Sequence, residues 1–179
     1  LNIEKVETNG LKTIDELSNF FDMPKKYFIK SVFYIGINKE KNDVPFIAFT
    51  RGDLEINEVK LANISNLTHL RQMTEEETKK HNIISGYAGP HKLNSEILSI
   101  ADDSLSNSFN LIAGANEENS HYKNINFERD WNAHIFGDIK LATEGSLCHL
   151  CGKKLEHKRG IELGHVFKLG SLYSEKFDI

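Results

Sequence analysis

Apolar and polar positions alternate between two periods along this chain. In TIDELSNFFD (13–22) Ile14, Leu17, Phe20 and Phe21 recur at helical spacing. Thr13 and Glu16 stand three apart, as a capping box requires, so a short helix is predicted with its first backbone N–H groups satisfied by those side chains. Pro24 suits the start of a second helical turn. SVFYIGI (31–37) and VPFIAFT (44–50) are rich in β-branched and aromatic residues. The charged stretch NKEKND between them predicts a hairpin. A helix is expected from about Asp53 or Leu54, with Asp53 as N-cap. TEEETKKHN (74–82) repeats the capping-box pattern through Thr74 and Glu77. ILSIADD, FNLIAGAN and YKNINF read as strands, and the tail from 138 onward as strands separated by Gly-rich turns. The fold class is therefore α/β, with strands outnumbering helices and interspersed with them.

Composition narrows the picture. With 179 residues, one domain with a sizeable core is the default. No apolar run approaches the roughly 18 residues of a membrane span. The N-terminus has no apolar signal-peptide core and no Met, and reads as cut from a longer chain. The net charge of -4 argues against a globally basic nucleic-acid binder, but not against a protein that touches one end of a nucleic acid. The two cysteines, Cys148 and Cys151, make no disulfide framework and fit a reducing compartment. Their spacing is that of a metal knuckle. A zinc site needs four ligands, however, and only His149, His157 and His165 lie near. The alternative is a plain turn with free thiols.

Candidate chemistry is concentrated in Gly-rich segments. GYAGP (86–90) is either an ordinary turn or a loop whose N–H groups hold a carbonyl oxygen. GAN (114–116) with His121 would give a second polar wall, and Asp102 or Asp103 would end an apolar strand in a cleft or in solvent. No Gly-x-Ser-x-Gly elbow, P-loop or Gly-x-Gly-x-x-Gly is present, so serine hydrolases, ATPases and dinucleotide enzymes are unsupported.

Taken together, KTIDEL, YFIKSVFY, RGDLEINEVKL, GYAGP, GAN…HYKNIN…RD and RGIELGHVFKLGSLYSE occur in an order that resembles the editing domain inserted in bacterial-type prolyl-tRNA synthetases. The chain is also similar to free-standing deacylases that clear mischarged tRNA. The resemblance implies a mixed, strongly curved β-sheet flanked by helices. It implies an editing domain over 1–158, with 159–179 as the start of re-entry into the aminoacylation core. The implied activity is hydrolysis of the ester in mischarged Ala-tRNA(Pro); a non-catalytic acceptor-end binding module is the alternative. Lys30 matches the family's catalytic lysine, and Gly86, Tyr87, Ala88, Gly89 and Pro90 match its loop. Asp102, Asn116 and His121 match substrate-binding positions. No catalytic metal and no cofactor are implied for editing; ATP and Mg belong to the full synthetase. The implied partners are the 3′ acceptor end of mischarged tRNA(Pro) and the rest of a homodimeric, cytoplasmic synthetase, with no membrane. His91-Lys92 departs from the small or apolar residues that many members carry after the loop. The Arg51-Gly52-Asp53 triplet is expected to brace the structure.

Overall fold

The computed structural model describes residues 1–94, 97–148, 150–168 and 170–177. It divides into two compact units, Leu1–Leu141 and Ala142–Ile179. In the first, the elements are β1 (Glu4–Glu7), α1 (Ile14–Phe21), a 3-10 turn (Lys25–Tyr27), β2 (Ile29–Ile37), β3 (Asp43–Arg51) and α2 (Glu58–Ser65). There follow β4 (Thr68–Gln72), α3 (Glu75–Lys80), β5 (Leu98–Asp102), a 3-10 turn (Asp103–Leu105), β6 (Leu111–Gly114), β7 (Ser120–Ile125) and β8 (Ile135–Gly137). The second unit carries α4 (Leu172–Phe177).

The α/β class holds, and the strands form two sheets rather than one. A five-stranded mixed sheet runs β4-β2-β3-β5-β8, with β2 antiparallel to β3 and β4, and β5 parallel to β3 and β8. An antiparallel sheet runs β1-β7-β6. They meet where Phe28 pairs with Ile112. Strand β3 is central, which explains its continuous apolar run: both faces are covered. Ile47 and Phe49 pack toward Leu111, Ala113 and Ile125 of the smaller sheet. Phe46 and Ala48 pack with Tyr34, Ile100 and Leu61 of α2. A third cluster joins Leu17 of α1 to Phe28 and Ile112, so α1 sits over the junction of the sheets.

Both capping boxes form. The Thr13 hydroxyl accepts from Glu16 N while the Glu16 carboxylate accepts from Thr13 N; Thr74 and Glu77 do the same. Helix α2, by contrast, begins later than expected. Its N-cap is Asn57, whose side-chain oxygen accepts from the N–H groups of Val59 and Lys60. Asp53 is held instead by Arg51, at 2.5 Å from Nε and 2.9 Å from Nη2. In the described part of the tail from 138 onward, the expected strands reduce to two isolated bridges, Lys140 with Ile56 and Leu147 with Lys154, followed by helix α4.

Candidate functional site

Between the two sheets lies a cleft of about 370 Å³. Strand β2 gives it Ile29, Lys30, Ser31 and Phe33; β6 gives Ile112, Ala113 and Gly114; β7 gives His121. The GYAGP loop contributes Gly86 and Ala88, and the start of α1 forms part of the rim.

Lys30 is one-fifth exposed, and its Nζ reaches Glu55 Oε1 at 2.7 Å. Glu55 is largely exposed and also lines the cleft. The ammonium therefore stands at the mouth beside a carboxylate that solvent can take over. An exposed pair of this kind contributes at most about 1 kcal/mol, so an incoming anion can displace it.

The loop is fixed from three sides. Ser31 Oγ donates to Ala88 O at 2.8 Å, tying it to β2. Asn116 holds the far end: its Oδ1 accepts from Gly89 N at 3.0 Å, and its Nδ2 donates to Gly89 O and His91 O at 3.0 and 2.8 Å. Asn116 N donates to Tyr87 O at 2.8 Å. The third restraint is steric. A Cβ on Gly89 would lie 2.1 Å from Gly114 O, and one on Gly114 would lie 2.1 Å from Tyr87 O. The two backbones touch, and only glycine at both positions permits it. Tyr87 N donates to Ile84 O, Gly89 N is taken by Asn116, and Pro90 has no N–H. The loop wall offered to a ligand is thus the backbone at Gly86 and Ala88.

His121 is 2 % exposed. Its Nδ1 lies 2.6 Å from Thr8 Oγ1, and a hydrogen bond joins it to the Gly86 backbone. Burial lowers its pKa to about 4, against a smaller upward pull from Gly86. The ring is neutral at pH 7, so the His121 wall is polar and uncharged, while Lys12, Lys25 and Lys30 line the cleft together with Asp15 and Glu55.

Of the residues singled out from sequence, Lys30, Gly86, Ala88 and His121 line the cleft. Asn116 and Gly89 stand behind the loop as its support. Tyr87 faces a separate cavity with Gly10 and Glu75, and Pro90 another with Trp131 and His134. Asp102 is not brought to the cleft. Its buried carboxylate accepts from Ile139 N and Lys140 N at 3.0 and 2.9 Å and from Ser104 N at 3.0 Å, anchoring the chain after β8 to β5. Ser31, Glu55 and Thr8 were not legible as site residues. Each acts through a tertiary contact 25 or more positions away, and Thr8 lies outside every quoted motif.

In the second unit, Cys148 and Cys151 are free, and hydrogen bonding, first to the Cys151 backbone, lowers the Cys148 thiol. Among the described residues no three His, Cys, Asp or Glu groups gather as a metal ion would need, and His149 lies outside those residues. No helix among them is long and apolar enough to cross a membrane.

The aminoacyl-tRNA editing domain model matches residues 8–130, a span that holds every wall of the cleft. The chain belongs to this family. The chain is 42 % identical over 176 residues to a proline–tRNA ligase of Dehalococcoides mccartyi, covering 98 % of the chain and 30 % of that protein. It is 43 % identical over 174 residues to one from Halothermothrix orenii, covering 97 % and 30 %. The chain thus spans about 30 % of the length of the curated relatives it matches. A solved structure described as a putative trans-editing enzyme for prolyl tRNA synthetase has the same fold, with a TM-score of 0.60 at 16 % identity over 78 % of this chain and 87 % of that one.

Proposed function

We propose that this editing domain hydrolyses the aminoacyl ester of mischarged tRNA(Pro), with Ala-tRNA(Pro) as its substrate, inside a cytoplasmic, homodimeric prolyl-tRNA synthetase. The observation that carries this reading is the cleft itself, small, with Lys30 at its mouth and neutral His121 and the Gly86–Ala88 backbone among its walls. Lys30 exchanges Glu55 for the phosphate of the terminal adenosine. The aminoacyl carbonyl lies against the Gly86–Ala88 backbone, where N–H groups stabilise the oxyanion; one such donor is typically worth about 10² to 10³ in rate. Water adds to the carbonyl carbon, the ester C–O bond breaks, and the ribose oxygen takes a proton. The products are the free amino acid and uncharged tRNA. An ester needs no protein nucleophile for this, and no cofactor enters. A small pocket complements a synthetic site that, with only about 1–3 kcal/mol per missing methylene, rejects smaller amino acids poorly.

The test is deacylation of Ala-tRNA(Pro) by the wild-type chain and by Lys30→Ala. Wild-type turnover and a loss of ten-fold or more in the variant are expected. Equal rates would remove Lys30 from the mechanism. Acceptor-end binding without wild-type turnover would make the domain a binding module instead.

A further inference from the structure

A second cavity, of about 410 Å³, shares a wall with the cleft. Lys25 and Gly52 line the cleft, while their chain neighbours Lys26, Tyr27 and Arg51 line this cavity. Its opposite side is the 107–110 segment, with Asn107, Phe109 and Asn110.

The chemistry of the lining is specific. Phe109 is 68 % exposed, although only Asn110 separates it from the buried strand β6. A single exposed aromatic means little by itself. Here it faces a cavity whose other wall holds a second aromatic, Tyr27, with the Lys26 ammonium 5.1 Å from that ring's centroid. The Arg51 guanidinium is held flat by its two bonds to Asp53, which offers a planar surface. Among the described residues no carboxylate lines the cavity, whereas the larger cavity beside Tyr87 offsets its two lysines, Lys12 and Lys79, with Glu75 and Glu118. Aromatic faces, a guanidinium plane, a nearby cation and amide side chains are the elements that take an unstacked nucleobase and its phosphate.

We propose that this cavity binds an unpaired nucleotide of the RNA acceptor end, upstream of the esterified nucleoside in the cleft, with its base stacked on Phe109. The proposal rests on the editing reading given above. The turn at Lys25–Tyr27 then divides the two nucleotides, with Lys25 and Lys26 facing successive phosphates.

The experiment compares wild type, Phe109→Ala and Phe109→Trp on Ala-tRNA(Pro) and on alanyl-adenosine, which lacks every upstream nucleotide. Phe109→Ala is expected to raise KM for the tRNA by about 5- to 100-fold relative to its effect on alanyl-adenosine. The loss falls on KM rather than kcat, and Phe109→Trp restores it. An unchanged KM for the tRNA, or an equal loss on both substrates, would overturn the subsite. If wild type hydrolyses neither substrate, the editing reading fails, and binding of a fluorescent ACCA tetranucleotide still decides the cavity. Weaker binding by Phe109→Ala in the same range supports it, and unchanged binding overturns it.

Discussion

Acidification should weaken this fold through His121 before any carboxylate titrates. An ordinary histidine titrates near 6.5, while burial holds His121 down at about 4. As the pH falls through 6.5, the unfolded chain gains a proton at this position and the folded chain does not, so acid favours unfolding. The contribution is fully present above pH 6.5 and is lost progressively until the folded ring also protonates near 4. At about 1.36 kcal/mol per pKa unit, the gap removes about 3 kcal/mol by pH 4 and about 2 kcal/mol by pH 5. That is a large share of the roughly 5–15 kcal/mol a domain possesses. The lowered carboxyls of Glu16, Glu77, Asp130 and Asp138 act in the same direction, but their contribution is lost only from the ordinary carboxylate range downward, so it joins that of His121 near pH 4 to 5. Urea unfolding at pH 7, 6, 5 and 4, run for wild type and His121→Gln, separates the two effects. The stability difference between the two proteins should shrink by about 3 kcal/mol from pH 7 to 4. A difference that stays constant across that range would refute the assignment of a buried, neutral ring.

Two further substitutions test the supports of the cleft. Gly89→Ala and Gly114→Ala each place a methyl 2.1 Å from a backbone oxygen, so each should cost about 3 kcal/mol or more and lower the melting temperature by about 6–12 °C. A wild-type melting temperature in either would show that the two backbones can separate freely. Asp102→Ala leaves the N–H groups of Ser104, Ile139 and Lys140 without their acceptor and should cost about 2–4 kcal/mol in urea unfolding. Asp103→Ala removes only a half-exposed ion pair with Lys140 and should cost under about 1 kcal/mol; similar losses in both would refute the anchoring role.

What the sequence revealed follows the range of the forces involved. The capping boxes at Thr13 and Thr74 were legible because donor and acceptor lie three residues apart. Strands β2 and β3 were legible because a hairpin in the middle of a sheet writes its burial into consecutive residues. Edge elements write little. Strand β1, EKVE, is almost wholly exposed, β4 includes His69 at positive φ, and β8 is three residues long; none was anticipated. Helix α2 was placed too early because Asp53 and Asn57 are both good N-caps. The choice between them was made by Arg51, which takes Asp53, and by Ile139 O, which accepts from Asn57 N at 2.8 Å. In the site, the glycines of GYAGP were visible as glycines. The reason for Gly89, contact with Gly114 across the cleft wall, lies 25 residues away, and the reason for Gly86 is its φ of +86°.

The Arg51-Gly52-Asp53 triplet shows how a tertiary contact can give meaning to an ambiguous local signal. Gly52 N donates to Phe28 O at 2.7 Å, and a Cβ on Gly52 would lie 2.6 Å from Lys25 O and 3.0 Å from the Phe28 Cβ. The end of β3 is therefore pressed against the Lys25–Tyr27 turn with no room for a side chain. Phe28 in turn pairs with Ile112, where the two sheets meet. The flanking charges neutralise each other, so Arg51 and Asp53 draw the chain tight around the glycine rather than presenting it to solvent. A loop that displays this triplet to an outside partner would need all three residues free. Here the glycine is buried, and its backbone joins the sheet junction to the turn that carries Lys25 on the cleft side and Tyr27 on the other.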